Sequence, residues 1–188
     1  MTISGSNDRA ADPRSLSLAS HFGSPEEQRE RNEATIRALS RPWYGRAYEP
    51  GCSAGGLTAQ LAWRCVQVTA TDSAPEFVAR TEARCARFLN VQVFQANLTD
   101  DPPPGTFDLI VLSDFGCHFA PKALIQLVLR MVARLQPGGE LVAVHSRWSN
   151  RHILSADTVH NLLRAQLPLE WTHEQRHDDF RIDVWQHL

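Results

Sequence analysis

The sequence has no apolar run near the ~18 residues that a membrane-spanning helix needs. Its first residues, Met1 to Pro13, are polar and acid-containing, without the apolar core of a signal peptide. The expectation is a cytoplasmic protein with no membrane partner. Positive charge is not in excess: 19 basic residues stand against 21 acidic ones, for a formal net charge of -2. That balance argues against nucleic acid as a partner, because a dedicated binder shows a basic face. Cys52, Cys65, Cys85 and Cys117 form no CxxC pair and no framework spacing. In a reducing compartment they are expected as free thiols. His173 and His177 are four apart, but they fall in or near a terminal turn and no third ligand is in view, so no metal is expected.

What remains is an ordinary composition. At 188 residues, 43% hydrophobic and 21% charged, the chain fits one domain with a full core. Residues 1–20 are rich in Ser, Asp, Arg and Ala without sustained periodicity and read as a disordered tail. Ser24-Pro25-Glu26-Glu27 is a helix start: Ser24 can cap, Pro25 takes the first helical position and Glu27 completes a capping box. The helix runs to about Ser40, within a 21–45 segment expected to lie over the site. Ala34, Ile36 and Leu39 are its buriable residues.

From Arg46 to the C-terminus, strands and helices alternate. Ala47 to Glu49 reads as a strand entering a glycine-rich turn, Leu57 to Arg64 as a helix, and Val66 to Thr71 as a strand ending at Asp72. Ser73-Ala74-Pro75-Glu76 reads as a second capping box opening a helix to about Phe88, and Val91 to Phe94 as a strand. Phe107 to Leu112 is continuously apolar apart from Asp108, the pattern of a strand covered on both faces. Leu124, Leu127, Val128, Met131, Val132 and Leu135 make a one-sided helical stripe ended by Pro137-Gly138-Gly139. Glu140 to His145 reads as a strand, and about Ser155 to Gln166 as a helix. Leu167 to His173 and Phe180 to Gln186 read as two strands joined by a polar turn.

This alternation predicts an α/β fold: a doubly wound, mostly parallel, seven-stranded sheet over 46–188 with an antiparallel C-terminal hairpin. The last connection is too short for a crossover, so one of its two strands must run antiparallel. In such sheets the ligand lies beyond the C-terminal strand ends, at the point where strand order reverses.

The chemistry concentrates in Glu49-Pro50-Gly51-Cys52-Ser53-Ala54-Gly55-Gly56, between a strand and a helix. Gly51 permits the tight turn and Gly55 lets the helix start close to a ligand. Asp72 ends the next strand 21 residues after Gly51, near the ~20-residue spacing at which an acid meets a ribose hydroxyl pair. Two cofactors compete. A dinucleotide wants G-x-G-x-x-G, so that bare backbone reaches a pyrophosphate; here Ser53 replaces the middle glycine and acidic Glu49 precedes the loop. S-adenosylmethionine has no phosphates but carries a sulfonium and an ammonium, both favoured by an acid. The methyl donor is the better match. An NAD-dependent oxidoreductase and a non-catalytic nucleoside-binding module are the alternatives.

These segments resemble the class I S-adenosylmethionine-dependent methyltransferases, with a Rossmann-like fold. Glu49-x-Gly51-x-Ser53-x-Gly55 looks like their first motif, and Thr71-Asp72-Ser73 like their ribose-binding strand end. Ala96-Asn97-Leu98 lies where the family places an acid or amide beside the adenine amino group. Phe107 to Ser113 looks like the fourth-strand motif, and Leu135-Gln136-Pro137-Gly138-Gly139 like the turn before the fifth strand. More narrowly, Pro25-Glu26-Glu27-Gln28, the loop with Cys52 and a small residue at 53, and Asp108 to Val111 are similar to the NodS-like N-methyltransferases. That group methylates a glucosamine amine in nodulation-factor oligosaccharides. Asp114-Phe115-Gly116-Cys117-His118 departs from that group where the chain faces the acceptor.

The expected cofactor set is therefore Glu49, Gly51, Cys52, Ser53, Gly55, Asp72, Ser73, Asn97, Leu98, Ser113 and Asp114. His118 and His145 follow central strands and are the candidate bases for a neutral amine acceptor. Asp114 could orient the methionine end or bind an acceptor ammonium. Arg147 and Trp148 could bind or stack on a sugar. Gln28 and Arg29 could close over the site. The acceptor is expected to be a small molecule or the end of an oligosaccharide.

Overall fold

The computed structural model describes residues 24–97, 99, 102–147 and 153–188. The expected tail over 1–20, Leu98 and Trp148 lie outside the described residues. The chain runs α1 (Pro25–Ala38), β1 (Tyr44–Pro50), α2 (Gly56–Leu61), β2 (Cys65–Asp72), α3 (Pro75–Cys85), β3 (Val91–Gln95) and β4 (Phe107–Ser113). It continues through a 3-10 turn (Gly116–His118), α4 (Pro121–Val132), β5 (Leu135–Ser146), α5 (Ala156–Gln166), β6 (Glu170–Arg176) and β7 (Phe180–Gln186).

One seven-stranded sheet has the order β3-β2-β1-β4-β5-β7-β6. β7 is the antiparallel strand, inserted between β5 and β6. The unbroken apolar character of β4 follows from its place in the middle. Ile110 and Leu112 face a cluster with Leu124, Val128 and Met131 of α4 and Val159 and Leu163 of α5. Leu109 and Val111 face the opposite cluster, with Ala34 and Ala38 of α1 and Leu57 and Leu61 of α2. Strand order reverses between β1 and β4. Their register is confined to Ala47–Leu109 and Tyr48–Ile110, whereas β1 stays paired with β2 out to Pro50–Thr71. The ladder between β1 and β4 thus stops short of their C-terminal ends, at the switch point where ligands bind in such sheets.

α1 begins as expected: Ser24 Oγ accepts from Glu27 N, and the Glu27 carboxylate accepts from Ser24 N. Its buried residues are Arg31, Ala34, Thr35 and Ala38, spaced at i, i+3, i+4 and i+7; Ile36 is only half-buried. The linker to β1 is pinned at the opposite end of the sheet. There Tyr44 and Ser40 donate their hydroxyls to Glu140, and Asp108 accepts the amides of Gly45 and Arg46 at 2.8 and 2.7 Å.

Four local expectations are corrected. The second capping box does not form: Ala74, not Ser73, is the N-cap and has no side-chain cap, so Glu76 falls at the second helical position instead of the third that a capping box needs. β1 starts at Tyr44 rather than at the expected 46–47 boundary. Leu135 is not the last residue of a helical stripe; it starts β5 and pairs with Phe107 across a register shift. β6 begins at Glu170, three residues later than expected.

Candidate active site

The loop after β1 is built by backbone the sequence permits at few other places. Gly51, Ser53 and Gly55 all have positive φ, at 73, 50 and 72°. Thr71 O takes the amides of both Gly51 (2.7 Å) and Cys52 (2.9 Å), which folds the loop back over β2. Gly55 has no room for a side chain: a Cβ there would stand 2.9 Å from Thr81 Cγ2 and 3.0 Å from Thr81 Cα. Thr81 of α3 also donates its hydroxyl to Ser53 O at 2.7 Å. Ser53 is a non-glycine residue in the left-handed region, and its amide donates to Asp72 Oδ2 at 2.9 Å.

Asp72 therefore does two things from the end of β2. Its carboxylate accepts from Ser53 N and from Ala74 N, which ties the loop to the start of α3. Each oxygen retains further acceptor capacity. Burial pushes its pKa up, and the backbone amides partly offset this.

Glu49, at the end of β1, is buried and accepts the Thr58 hydroxyl of α2 at 2.6 Å. Desolvation pushes its carboxyl up to about 8, so at neutral pH it is largely a neutral acid. Beside it, Asp114 follows β4 with φ at 48°. Asp114 Oδ1 accepts from Ser146 N at 2.7 Å, and its own amide donates to Val144 O at 2.8 Å. Across the gap Arg31 of α1 brings Nη2 to 2.8 Å from Asp114 Oδ2.

These groups enclose a cavity of about 70 Å³ walled by Glu49, Gly51, Cys52, Ser53, Ser113 and Asp114 from the sheet side, and by Gln28, Arg31 and Asn32 from α1. That is far below the ~300 Å³ of a whole small-molecule site; it is a small polar corner. Arg31 Nε is buried there without a hydrogen-bond partner. A buried orphan donor, a neutral buried acid and a second carboxylate fit the ammonium and carboxylate of an amino-acid group. Asp72, the one acid at the neighbouring strand end, fits a sugar diol. The residues present thus suit S-adenosylmethionine.

Six of the expected cofactor residues line this corner, and Gly55 and Asp72 hold its shape. Ser73 and Asn97 are exposed past the ends of β2 and β3. His118 is exposed on the 3-10 turn. His145 is elsewhere: it is fully buried, its Nε2 accepts from Gly116 N at 2.9 Å, and its Nδ1 meets His160 Nε2 at 3.0 Å. With both ring nitrogens engaged inside the protein, this arrangement offers an acceptor no lone pair, a correction to its expected place at the mouth. Arg147 Nη1 donates to His177 O at 3.1 Å. Arg29 is exposed and is absent from the cavity wall, where Gln28 stands.

Arg31, Asn32 and Arg84 are polar wall residues the sequence reading missed. A signal existed: Arg31 shares the i, i+3, i+4, i+7 stripe with Ala34, Thr35 and Ala38, so the face that buries α1 carries an arginine with it.

Comparisons with known proteins give the family. A family model described as a methyltransferase domain matches residues 47–139. Nodulation protein S of Sinorhizobium fredii (strain NBRC 101917 / NGR234) is 30% identical over 148 residues, covering 74% of this chain and 68% of that protein. Nodulation protein S of Rhizobium tropici is 28% identical over 150 residues, covering 77% of this chain; the match spans 63% of that relative's length. A solved structure from Pseudomonas syringae, assigned as a methyltransferase, is 34% identical with a TM-score of 0.73, covering 85% of this chain and 98% of that one. The N-methyltransferase NodS of Bradyrhizobium japonicum WM9, in complex with S-adenosyl-L-homocysteine, is 24% identical. It shares the fold at a TM-score of 0.77, over 94% of this chain and 93% of that one. The chain belongs to the class I S-adenosylmethionine-dependent methyltransferases and, among them, resembles nodulation protein S.

Proposed function

We propose that this protein transfers a methyl group to the amine of a small polar acceptor, an amino sugar or the amino-sugar end of an oligosaccharide. The observation that carries the reading is the corner at the β1/β4 switch point, where Glu49, Asp114 and Arg31 surround a cavity of about 70 Å³. S-adenosylmethionine, when bound, supplies an electrophilic methyl carbon on a sulfonium. Every other requirement falls on the chain. Methyl transfer is governed by in-line placement more than by covalent help, so the rigidity of the loop is itself functional.

Arg31 suits the methionine carboxylate, to which it can add donors, and Glu49 suits the ammonium. Asp72 suits the ribose hydroxyls, and Asn97 the adenine edge. An amine acceptor must lose a proton. His118, on the turn after β4, is the residue we assign to take it at its ring nitrogen. A second, open cavity of about 560 Å³ is lined by Arg147, Ser155, Asp157 and Asp178. Its paired charges suit a hydroxylated acceptor, and it begins one residue beyond Ser146, whose amide binds Asp114.

The test is turnover of S-adenosylmethionine with a panel of glucosamine, a partly deacetylated chitooligosaccharide, a simple alkylamine and a catechol. Methylation of the amino sugars above the other two is the expected result. Methylation of the catechol alone overturns the amine assignment.

A further inference from the structure

Beneath the acceptor side of the site, a polar chain crosses an otherwise apolar layer. It starts at Gly116 N, which donates to His145 Nε2 at 2.9 Å. A backbone amide can only donate, so Nε2 is bare and the proton of a neutral His145 ring sits on Nδ1. That nitrogen is 3.0 Å from His160 Nε2, which must then accept. The His160 proton is therefore on Nδ1, 2.9 Å from Asp183 Oδ2. Asp183 is in turn paired with Arg181 Nη2 at 2.9 Å, and Arg181 reaches Asp157 at 3.2 Å and Glu174 at 3.3 Å. His145, His160, Arg181 and Asp183 are all 0% exposed.

Resting on the methyltransferase reading above, we propose that Asp183, His160 and His145 form a positioning chain that fixes the Gly116–His118 turn, and with it the acceptor side of the site. None of the three serves the cofactor corner. The turn is where the sequence departs from the NodS-like pattern, and it carries His118. His145 is set hard against it: a Cβ on Gly116 would stand 3.2 Å from His145 Nε2 and 2.6 Å from Val159 Cγ1. The far side of the turn is held as well, since Cys117 O accepts the amides of Ile153 and Leu154 at 2.9 and 3.1 Å. Burying a polar chain without solvent is costly unless every link is made. Here one direction of donation satisfies the links from the turn to His160, and His160 Nδ1 then stands 2.9 Å from the β7 carboxylate, close but without hydrogen-bond geometry.

The chain also has a defined failure. A proton added to either imidazole sets two donors against each other, at Gly116 N or between the two rings. The charged and titratable groups around it are Asp114 and Cys117 from the β4 side, Asp157 on α5, Arg181 and Asp183 on β7, and Glu174 on β6. Burial already holds His160 below the ordinary imidazole range. The turn is thereby kept in its neutral-ring arrangement at physiological pH.

The test uses the full chain. Nitrogen NMR of the histidines at pH 7 should show both His145 and His160 as neutral rings protonated at Nδ1. An Nε2-protonated ring or an imidazolium at either position overturns the proposal, whatever the variants do. In His160→Phe, which does not touch Gly116, amide exchange at Gly116 should quicken by about tenfold or more, as a local opening does. Calorimetric affinity for S-adenosylhomocysteine should stay within about twofold. His145→Gln, which keeps an acceptor for the amide, should retain more Gly116 protection than His145→Phe. Unchanged exchange, or affinity lost in step with protection, overturns it. Failure of the unaltered protein to bind S-adenosylhomocysteine would instead strike the cofactor assignment, with the ring states still readable.

Discussion

Arg31 Nη2 lies 2.8 Å from Asp114 Oδ2, and both side chains are under one-tenth exposed. This ion pair fastens the N-terminal helix to the residue that follows the central strand β4, across the polar corner. The C-terminal half of α1 is anchored independently by Ala34, Ala38 and Leu39 in the apolar cluster. Residues 24–27 and 29–30, ahead of Arg31, are exposed.

Removing one partner of a buried pair leaves the other charge uncompensated, at about 3–5 kcal/mol. Arg31→Met should therefore lower the thermal midpoint and weaken S-adenosylhomocysteine binding together, by about tenfold or more. Asp114→Asn should be milder, because an amide oxygen still accepts from Ser146 N. Equal affinities in Arg31→Met and the unaltered protein, by calorimetry, would remove Arg31 from the site.

Glu49 gives a signed pH dependence. Its folded pKa, about 8, lies above the ordinary value of 4.5. Between those values the unfolded chain ionises the group and the folded one does not, so this residue's contribution to stability falls as pH rises from about 4.5 to 8. Glu49→Gln should be more stable than the unaltered protein at pH 8, with the gap closing toward pH 5. Binding of a cationic methyl donor should release a proton from Glu49 near pH 7. Calorimetry in two buffers of different ionisation enthalpy reads that proton, and Glu49→Gln should abolish it.

Asp72→Ala strands the Ser53 and Ala74 amides as well as any ribose hydroxyls. Each unsatisfied group costs about 1–3 kcal/mol, so both loop stability and S-adenosylhomocysteine affinity should fall. A variant that loses thermal stability at unchanged affinity would make Asp72 a loop clamp and nothing more.

Two glycines with nearly the same φ separate strain from space. Gly55 and Gly138 stand at 72 and 74°; a Cβ on Gly55 meets Thr81, and one on Gly138 meets nothing within 4 Å. Gly138→Ala should cost only the left-handed penalty of about 1–2 kcal/mol. Gly55→Ala should cost clearly more and abolish cofactor binding. Thr81→Ser should not rescue it, because one contact is to the Thr81 backbone. Denaturant titration of the two variants checks the difference.

Much of this was readable beforehand because it depends on neighbours in the chain. The glycines of the β1 loop, Asp72 at a strand end, the capping box at Ser24 and the double-sided apolar run of β4 are all local patterns, and the structure keeps them. Strand alternation also implied the antiparallel terminal hairpin, since a short turn allows nothing else. The second capping box shows the limit of local reading: Ser73 and Glu76 had the right spacing, but the helix starts one residue later, with Ala74 as its N-cap.

The order of residues was enough to specify the sheet, its switch point and the acidic strand ends, since periodicity and turn chemistry act over a few residues. Folding in three dimensions settled which side chains meet. It carried Arg31 to Asp114 across 83 positions, and it turned His145 inward to His160 rather than out to an acceptor. Such pairings depend on which faces of distant elements are pressed together: spacing can mark a face that is buried, as for Arg31, but not the residue that face meets.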